Sequence, residues 1–307
     1  METRTLMWIV FNVAVLGLLF LDLKVFNRKA HEVKLKEASL WLLMWVSLAL
    51  AFGIGVYVKL GDQKALEFLT GYLIEYSLSV DNMFVFIMIF AYFAVPARCQ
   101  PRVLHWGILG ALVMRFILIF SGVALIERFH WIVYVFGALL IYTGIKMVGA
   151  HEEKMDPGKN PVLRLFKKVM PFDNSYVGDA FFVKKLGVWH ATTLFACVLV
   201  VEASDLVFAV DSIPAVLAIS RDPFIVYTSN IFAILGLRSL YFVLSSVMGL
   251  FRYLKTGVAV ILCYVGAKMI LVEFIKIPIL SSLGVVFGIL AISIVASLLC
   301  KDEKAAA

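Results

Sequence analysis

Apolar positions along this chain come in blocks of roughly twenty rather than in short alternating runs. Nine blocks can be marked, at about 6–26, 39–59, 67–93, 103–126, 131–149, 190–219, 225–248, 254–274 and 278–300. A helix of about twenty apolar residues matches the hydrocarbon core of a bilayer, whereas membrane strands would alternate. The pattern therefore predicts an all-α polytopic membrane protein with about nine transmembrane helices. One long polar stretch, 150–189, interrupts the series and carries Pro157, Gly158, Pro161, Pro171 and charges of both signs. It reads either as a short folded flap or as a flexible linker.

Composition agrees with the pattern. The chain is 63% apolar and only 16% charged, against about 45–50% and about 25% in soluble domains. The net charge of +7 would suggest nucleic acid in a soluble protein. Here the basic residues fall in loops, where they set orientation, so no nucleic-acid partner is expected. Lys24, Arg28, Lys29, Lys34 and Lys36 follow the first block, Arg98 and Arg102 the third, Arg252 and Lys255 the seventh, and Lys301 and Lys304 the ninth. The opposite loops hold fewer: Lys59, Lys64, Arg128, Arg221 and Lys276. Positive loops stay inside, which puts the N-terminus outside and the C-terminus in the cytoplasm. The first block superficially resembles a signal peptide. Its apolar run of about 19 residues is too long, and no small-x-small cleavage site follows, so it reads as a retained helix. Cys99, Cys197, Cys263 and Cys300 form no CxxC and suggest apolar fillers rather than disulfides or thiolate metal ligands.

The chain repeats itself. IYTGIKM at 141–147 returns as CYVGAKM at 263–269, and Arg115 in GILGALVMRF aligns with Arg238 in NIFAILGLRS. This gives two three-helix repeats, 67–149 and 190–274, with 6–59 and 278–300 as flanking helices. An odd number of helices per repeat makes the two inverted, as in many secondary transporters whose substrate site lies at the repeat interface.

That interface is where the chain places its intramembrane charges. EYSLSVDN carries Glu75, Asp81 and Asn82; EASDLVFAVDSIPA carries Glu202, Asp205, Asp211 and Ser212. Gap-free alignment pairs Glu75 with Asp205 and Asp81 with Asp211; a rival register pairs Asp81 with Asp205. An ionised carboxylate at mid-bilayer costs at least about 2.5–3.5 kcal/mol, so such residues must face each other, a cation or water. Arg115 and Arg238 can offset only two of the five acids. Oxygen-rich sites suit Mg²⁺, Ca²⁺ or Mn²⁺. All five histidines fall in loops or at block ends, which counts against zinc, and His151-Glu152-Glu153 is not an HExxH motif. No Ser/His pair appears at depth either, so the chain is not expected to be an enzyme. Pro214 cannot donate to the Val210 carbonyl, and the freed carbonyl beside Asp211 suggests an unwound, cation-binding segment. Lys146 and Lys268 read as snorkelling side chains, and Gly284 with Gly288 as a weak GxxxG packing signal.

EYSLSVDN and EASDLVFAVDSIPA together resemble the TerC family of bacterial membrane proteins. FLTGYLIEYSLSVDNMFVF, DPFIVYTSNIFAILGLRSLYF and the nine-block layout are most similar to its Alx subgroup. The resemblance implies a LysE-like transporter architecture in the inner membrane and Mn²⁺ export tied to alkaline and metal stress, the family's name coming from tellurite-resistance clusters. It implies Glu75, Asp81, Glu202, Asp205 and Asp211 as the acidic site; the chemistry of the motifs adds Asn82 and the Val210 carbonyl as supplements and Arg115, Arg238, Ser212 and Pro214 in support. No resident cofactor is implied. Protons as counter-ion follow from the chemistry of buried carboxylates. The competing expectation is a scaffold or accessory protein of metal or tellurite stress whose acids serve helix assembly.

Overall fold

The computed structural model describes residues 2–26, 33–129, 131–149, 161–173, 176–185, 187–247, 253–271 and 277–299. The helices α1 (Glu2–Phe26), α2 (Leu35–Leu60), α3 (Asp62–Tyr92), α4 (Gln100–Arg128) and α5 (Ile132–Gly149) come first. A short helix α6 (Pro161–Val169) and strands β1 (Phe172–Asp173), β2 (Phe182–Lys185) and β3 (Val188–Thr192) follow. The chain closes with α7 (Thr193–Leu217), α8 (Pro223–Leu235), α9 (Leu237–Val247), α10 (Leu254–Ile270) and α11 (Ile279–Leu299).

Among the described residues, five spans are long and apolar enough to cross a membrane: α2, α3, α4 with its preceding turn, α7 and α11. The pair α8–α9, bent by 44°, makes a sixth if it is one crossing, and Arg4–Phe20, Ile132–Met147 and Thr256–Ile270 are shorter apolar helices. The chain is thus a multi-pass α-helical membrane protein.

Element boundaries follow local chemistry. Gly61, at φ +91°, turns the chain between α2 and α3. Pro101 sits in the first turn of α4, where its missing N–H costs nothing. Asp222 caps α8, accepting from the Phe224 N–H at 3.0 Å, with Pro223 opening the helix. The core lies along α3: 69% of its apolar window is buried, against 22% for α2. An aromatic layer of Trp8, Phe11, Phe52, Phe68, Phe224 and Phe232 joins α1, α2, α3 and α8.

Helices α5 and α10 pair most extensively, and glycine is the reason. A Cβ on Gly266 would lie 2.6 Å from the Gly137 carbonyl oxygen; one on Gly144 would lie 2.7 Å from the Ala259 carbonyl oxygen. Only a missing side chain lets two backbones approach this closely. Between the two contacts, Cys263 Sγ faces the Ile141 carbonyl at 3.9 Å.

Of the 150–189 stretch, the described part is folded, so the flap reading holds from Pro161 onward; His151-Glu152-Glu153 lies outside the described residues. β3 pairs parallel with β1 and antiparallel with β2, matching Lys184 with Trp189 and Phe182 with Ala191. The strand runs to Thr192, taking the first three residues of the expected sixth block, before α7 begins. Tyr176 donates to the Phe93 carbonyl at 2.6 Å, and Arg102 pairs with Asp179, docking the flap on the α3–α4 elbow. Burial, then the nearby Cys197 and Cys99 thiols, push the Tyr176 hydroxyl up to about 12, so it remains a donor at neutral pH.

Candidate functional site

The centre of the bundle is a closed polar circuit. Arg115 on α4 and Glu75 on α3 are fully buried and form an ion pair. Arg115 also donates to Asn230 Oδ1 on α8, and Asn230 donates on to Glu75 Oε2 at 3.1 Å. Three side chains from three helices thus close on one another, while Arg115 Nε and Nη2 find no hydrogen-bond partner among the described residues. A charge this deep is tolerable only when paired and hydrogen-bonded. The guanidinium's other end, Nη2, lies 3.8 Å from Asp205 Oδ1 on α7, too far for a hydrogen bond but within Coulombic reach.

Asp205 is the side chain with capacity to spare. It is 3% exposed, and its Oδ2 has no hydrogen-bond partner among the described residues. It borders a cavity of about 10 Å³ whose wall also includes Arg238, Phe86 and Gly107, room for about one water-sized sphere. Glu202, one turn earlier on α7, lies against Gly110, where any Cβ would overlap its carboxylate. Ser79 and Ser212 are buried, their hydroxyls without a partner among the described residues, and Asn82 is buried as well. Ser204 instead bonds back to the Val200 carbonyl at 2.8 Å, a helix-internal contact.

The structure thus joins Glu75, Arg115 and Asn230 and brings Asp205 near Arg115, with Glu202 and Arg238 at the edge. The backbones of Asp81 and Asp211 belong to α3 and α7, but their side chains lie outside the described residues. Among the described residues no three His, Cys, Asp or Glu side chains gather as a metal-holding group.

One expectation is corrected. α7 does not unwind at Pro214; it stays helical to Leu217, and the Val210 side chain is half exposed, turned away from the core. Pro214 sits in the last turn, where the ladder resumes at once through Ala218 N–H to the Pro214 carbonyl at 3.0 Å. A proline so near a helix end removes one hydrogen bond without a second half-helix to break away. The interrupted segment is α8–α9, bent at Gly236, two residues before Arg238.

Three polar residues were not singled out by sequence. Asn230 completes the circuit, and its only sequence signal was the run Thr228-Ser229-Asn230 inside an apolar block. Glu67, 5% exposed, accepts from Lys64 at 2.6 Å and from Ser220 at 2.5 Å, tying α3 to the α7–α8 turn. His105, near the start of α4, is buried despite its place at a block end.

The sequence profile described as "Integral membrane protein TerC family" matches residues 60–305. An uncharacterised membrane protein of Myxococcus xanthus, STKORF319, is 51% identical over 95% of this chain and 92% of its own length. A protein of Escherichia coli K12 described as "Putative membrane-bound redox modulator Alx" is 48% identical over 94% and 93%. A membrane protein of Rickettsia bellii is 38% identical over 96% and 98%. No solved structure matches the chain. The motifs around Glu75 and Asp205 lie inside the matched region, and the similarity runs nearly end to end: this chain belongs to the TerC family of integral membrane proteins.

Proposed function

We propose that this chain exports a divalent cation, Mn²⁺ before Ca²⁺ or Mg²⁺, through the polar centre of the bundle by alternating access. The observation that carries the reading is the unsatisfied Oδ2 of Asp205, buried beside a small cavity with Glu202 one turn away. Asp81, Asp211, Asn82 and Ser212 are the further hard oxygen donors of the two motifs, the Val210 carbonyl remaining a supplement. Glu75 serves chiefly as counter-charge to Arg115. The preference for Mn²⁺ comes from the family resemblance, since oxygen ligands alone suit all three ions. Moving a redox-active cation is one way for a membrane protein to act on redox state, the role in the description of the Escherichia coli relative.

The α5–α10 seam supports the inverted-repeat plan. The offset of 122 residues that relates IYTGIKM to CYVGAKM maps Gly144 onto Gly266, Gly137 onto Ala259 and Ile141 onto Cys263. Gly137 meets Gly266, Gly144 meets Ala259, and Ile141 meets its own counterpart. Such reciprocal contacts are what a pseudo-two-fold axis produces. In this reading the repeats span 67–149 and 190–274, nine helices cross the inner membrane, the N-terminus is outside and the C-terminus cytoplasmic, and the chain performs no catalysis. Protons compete for the same carboxylates and serve as counter-ion.

The rival is a membrane scaffold. The closed Glu75–Arg115–Asn230 circuit favours it, because such a circuit holds helices together without any cargo. Cellular manganese in an exporter-deficient bacterium, measured by elemental mass spectrometry under Mn²⁺ challenge, separates the two. Native protein lowers the metal, whereas Asp205→Asn and Asp211→Ala variants at matched membrane levels do not. If the native protein, well expressed, leaves cell manganese unchanged, manganese export is wrong.

A further inference from the structure

The flap presents chemistry that neither the central site nor the packing of the bundle uses. Its described acids are both taken: Asp173 pairs with Lys185 at 2.6 Å, and Asp179 with Arg102. Three cations, Arg164, Lys168 and Lys184, are exposed and meet no acid among the described residues. Beside them stand apolar side chains in water-accessible positions: Leu165 at 66%, Val188 at 53% and Trp189 at 56% exposure.

These residues are not scattered. On α6, Arg164 and Lys168 share one helical face by their i, i+4 spacing, Leu165 is exposed at its border, and Leu163 is buried on the other side. In the hairpin, Lys184 lies directly opposite Trp189, so both project from one side of the sheet. Phe195, in the first turn of α7, is the hub of both elements, 5.3 Å from Phe166 of α6 and 4.5 Å from Phe182 of β2. The basic and apolar positions therefore ring the point where a membrane-spanning helix begins. A basic amphipathic helix and an exposed tryptophan are what a protein places at headgroup depth.

We infer that the flap docks on the bilayer itself, with Arg164, Lys168 and Lys184 on the phosphates of anionic lipids and Trp189 and Leu165 at the acyl boundary. Charge complementarity selects this occupant: each cation near an anionic surface adds a few-fold to the docked population. The same flap is pinned to the α3–α4 elbow by Tyr176 and Asp179, so lipid charge would act on the end of α3 through it.

The test is hydrogen–deuterium exchange of the full chain in nanodiscs of phosphatidylcholine alone and of phosphatidylcholine with phosphatidylglycerol. Amides of 161–192 are expected to exchange about tenfold more slowly in the anionic discs, and an Arg164→Gln/Lys168→Gln/Lys184→Gln variant loses the difference while keeping its melting temperature. Brominated acyl chains should quench native fluorescence more than that of Trp189→Phe. Equal exchange in the two lipids overturns the inference. So does a triple variant that still senses lipid charge, or slow exchange in both lipids that this variant abolishes; the last outcome would assign the cover to the chain's own acids, Glu152, Glu153 and Asp156.

Discussion

In the proposed repeat, helix α4 and the pair α8–α9 occupy aligned positions around Arg115 and Arg238, yet they are built differently. α4 runs unbroken from Gln100 to Arg128, whereas its counterpart bends by 44° where Gly236 replaces Val113. Glycine alone does not explain the bend, because α4 holds Gly107 and Gly110 and runs unbroken. Those two are braced from outside: Gly107 packs on Val201 of α7 and Gly110 on the Glu202 carboxylate. At Gly236 a Cβ would make only ordinary contact, 3.5 Å from the Tyr76 ring. A glycine bends a helix where its neighbours leave it free. One arginine is thereby fixed in mid-helix by partners on other elements, and the other sits just past a joint.

The comparison can be broken at its rigid end first. Arg115→Met strands the Glu75 carboxylate in the core, a loss expected to cost about 3–5 kcal/mol. Thermal melts in detergent should show a large drop, and adding Glu75→Gln should recover more than half of it. No recovery would mean that the pair is not the unit that holds α3 to α4. Next comes the seam between α5 and α10. Gly266→Ala forces a methyl against the Gly137 carbonyl and should cost about 1–3 kcal/mol, read as a lower midpoint with the circuit around Arg115 intact.

At the joint the sign reverses. Gly236→Ala should stabilise by about 0.5–1 kcal/mol, the helical advantage of alanine over glycine, while slowing manganese export in cells. A variant that melts higher and exports unimpaired would show that the bend is not a moving part. The smallest effect belongs to the surface: Asp179→Asn removes the Arg102 pair, both partners over a third exposed, and should shift the melt by under about 1 kcal/mol. That shift should vanish in high salt.

These contrasts also show what the sequence could and could not convey. The polytopic helical class was legible because a bilayer demands about twenty apolar residues in a row, and Glu75, Glu202 and Asp205 stood out against such blocks. That Arg115 meets Glu75 and Asn230, and only approaches Asp205, depends on how α3, α4, α7 and α8 face each other, which spacing along one helix does not encode. Pro214 looked like a break and is not one; its effect depends on how much helix follows it. The joint at Gly236 was hidden because bracing is supplied by other helices. The sheet of the flap escaped because strands of two to five residues are too short for alternation to register.

The glycine seam between α5 and α10 has a mechanical consequence. Two backbones in direct contact cannot slide past each other without lifting apart, because carbonyls and neighbouring side chains interlock where side-chain cushions are missing. In the proposed alternating access the pair would serve as an axle. If the rest of the bundle rocks to carry an ion across, it turns about this line, where displacement is least, and the greatest travel falls on the helices farthest from it.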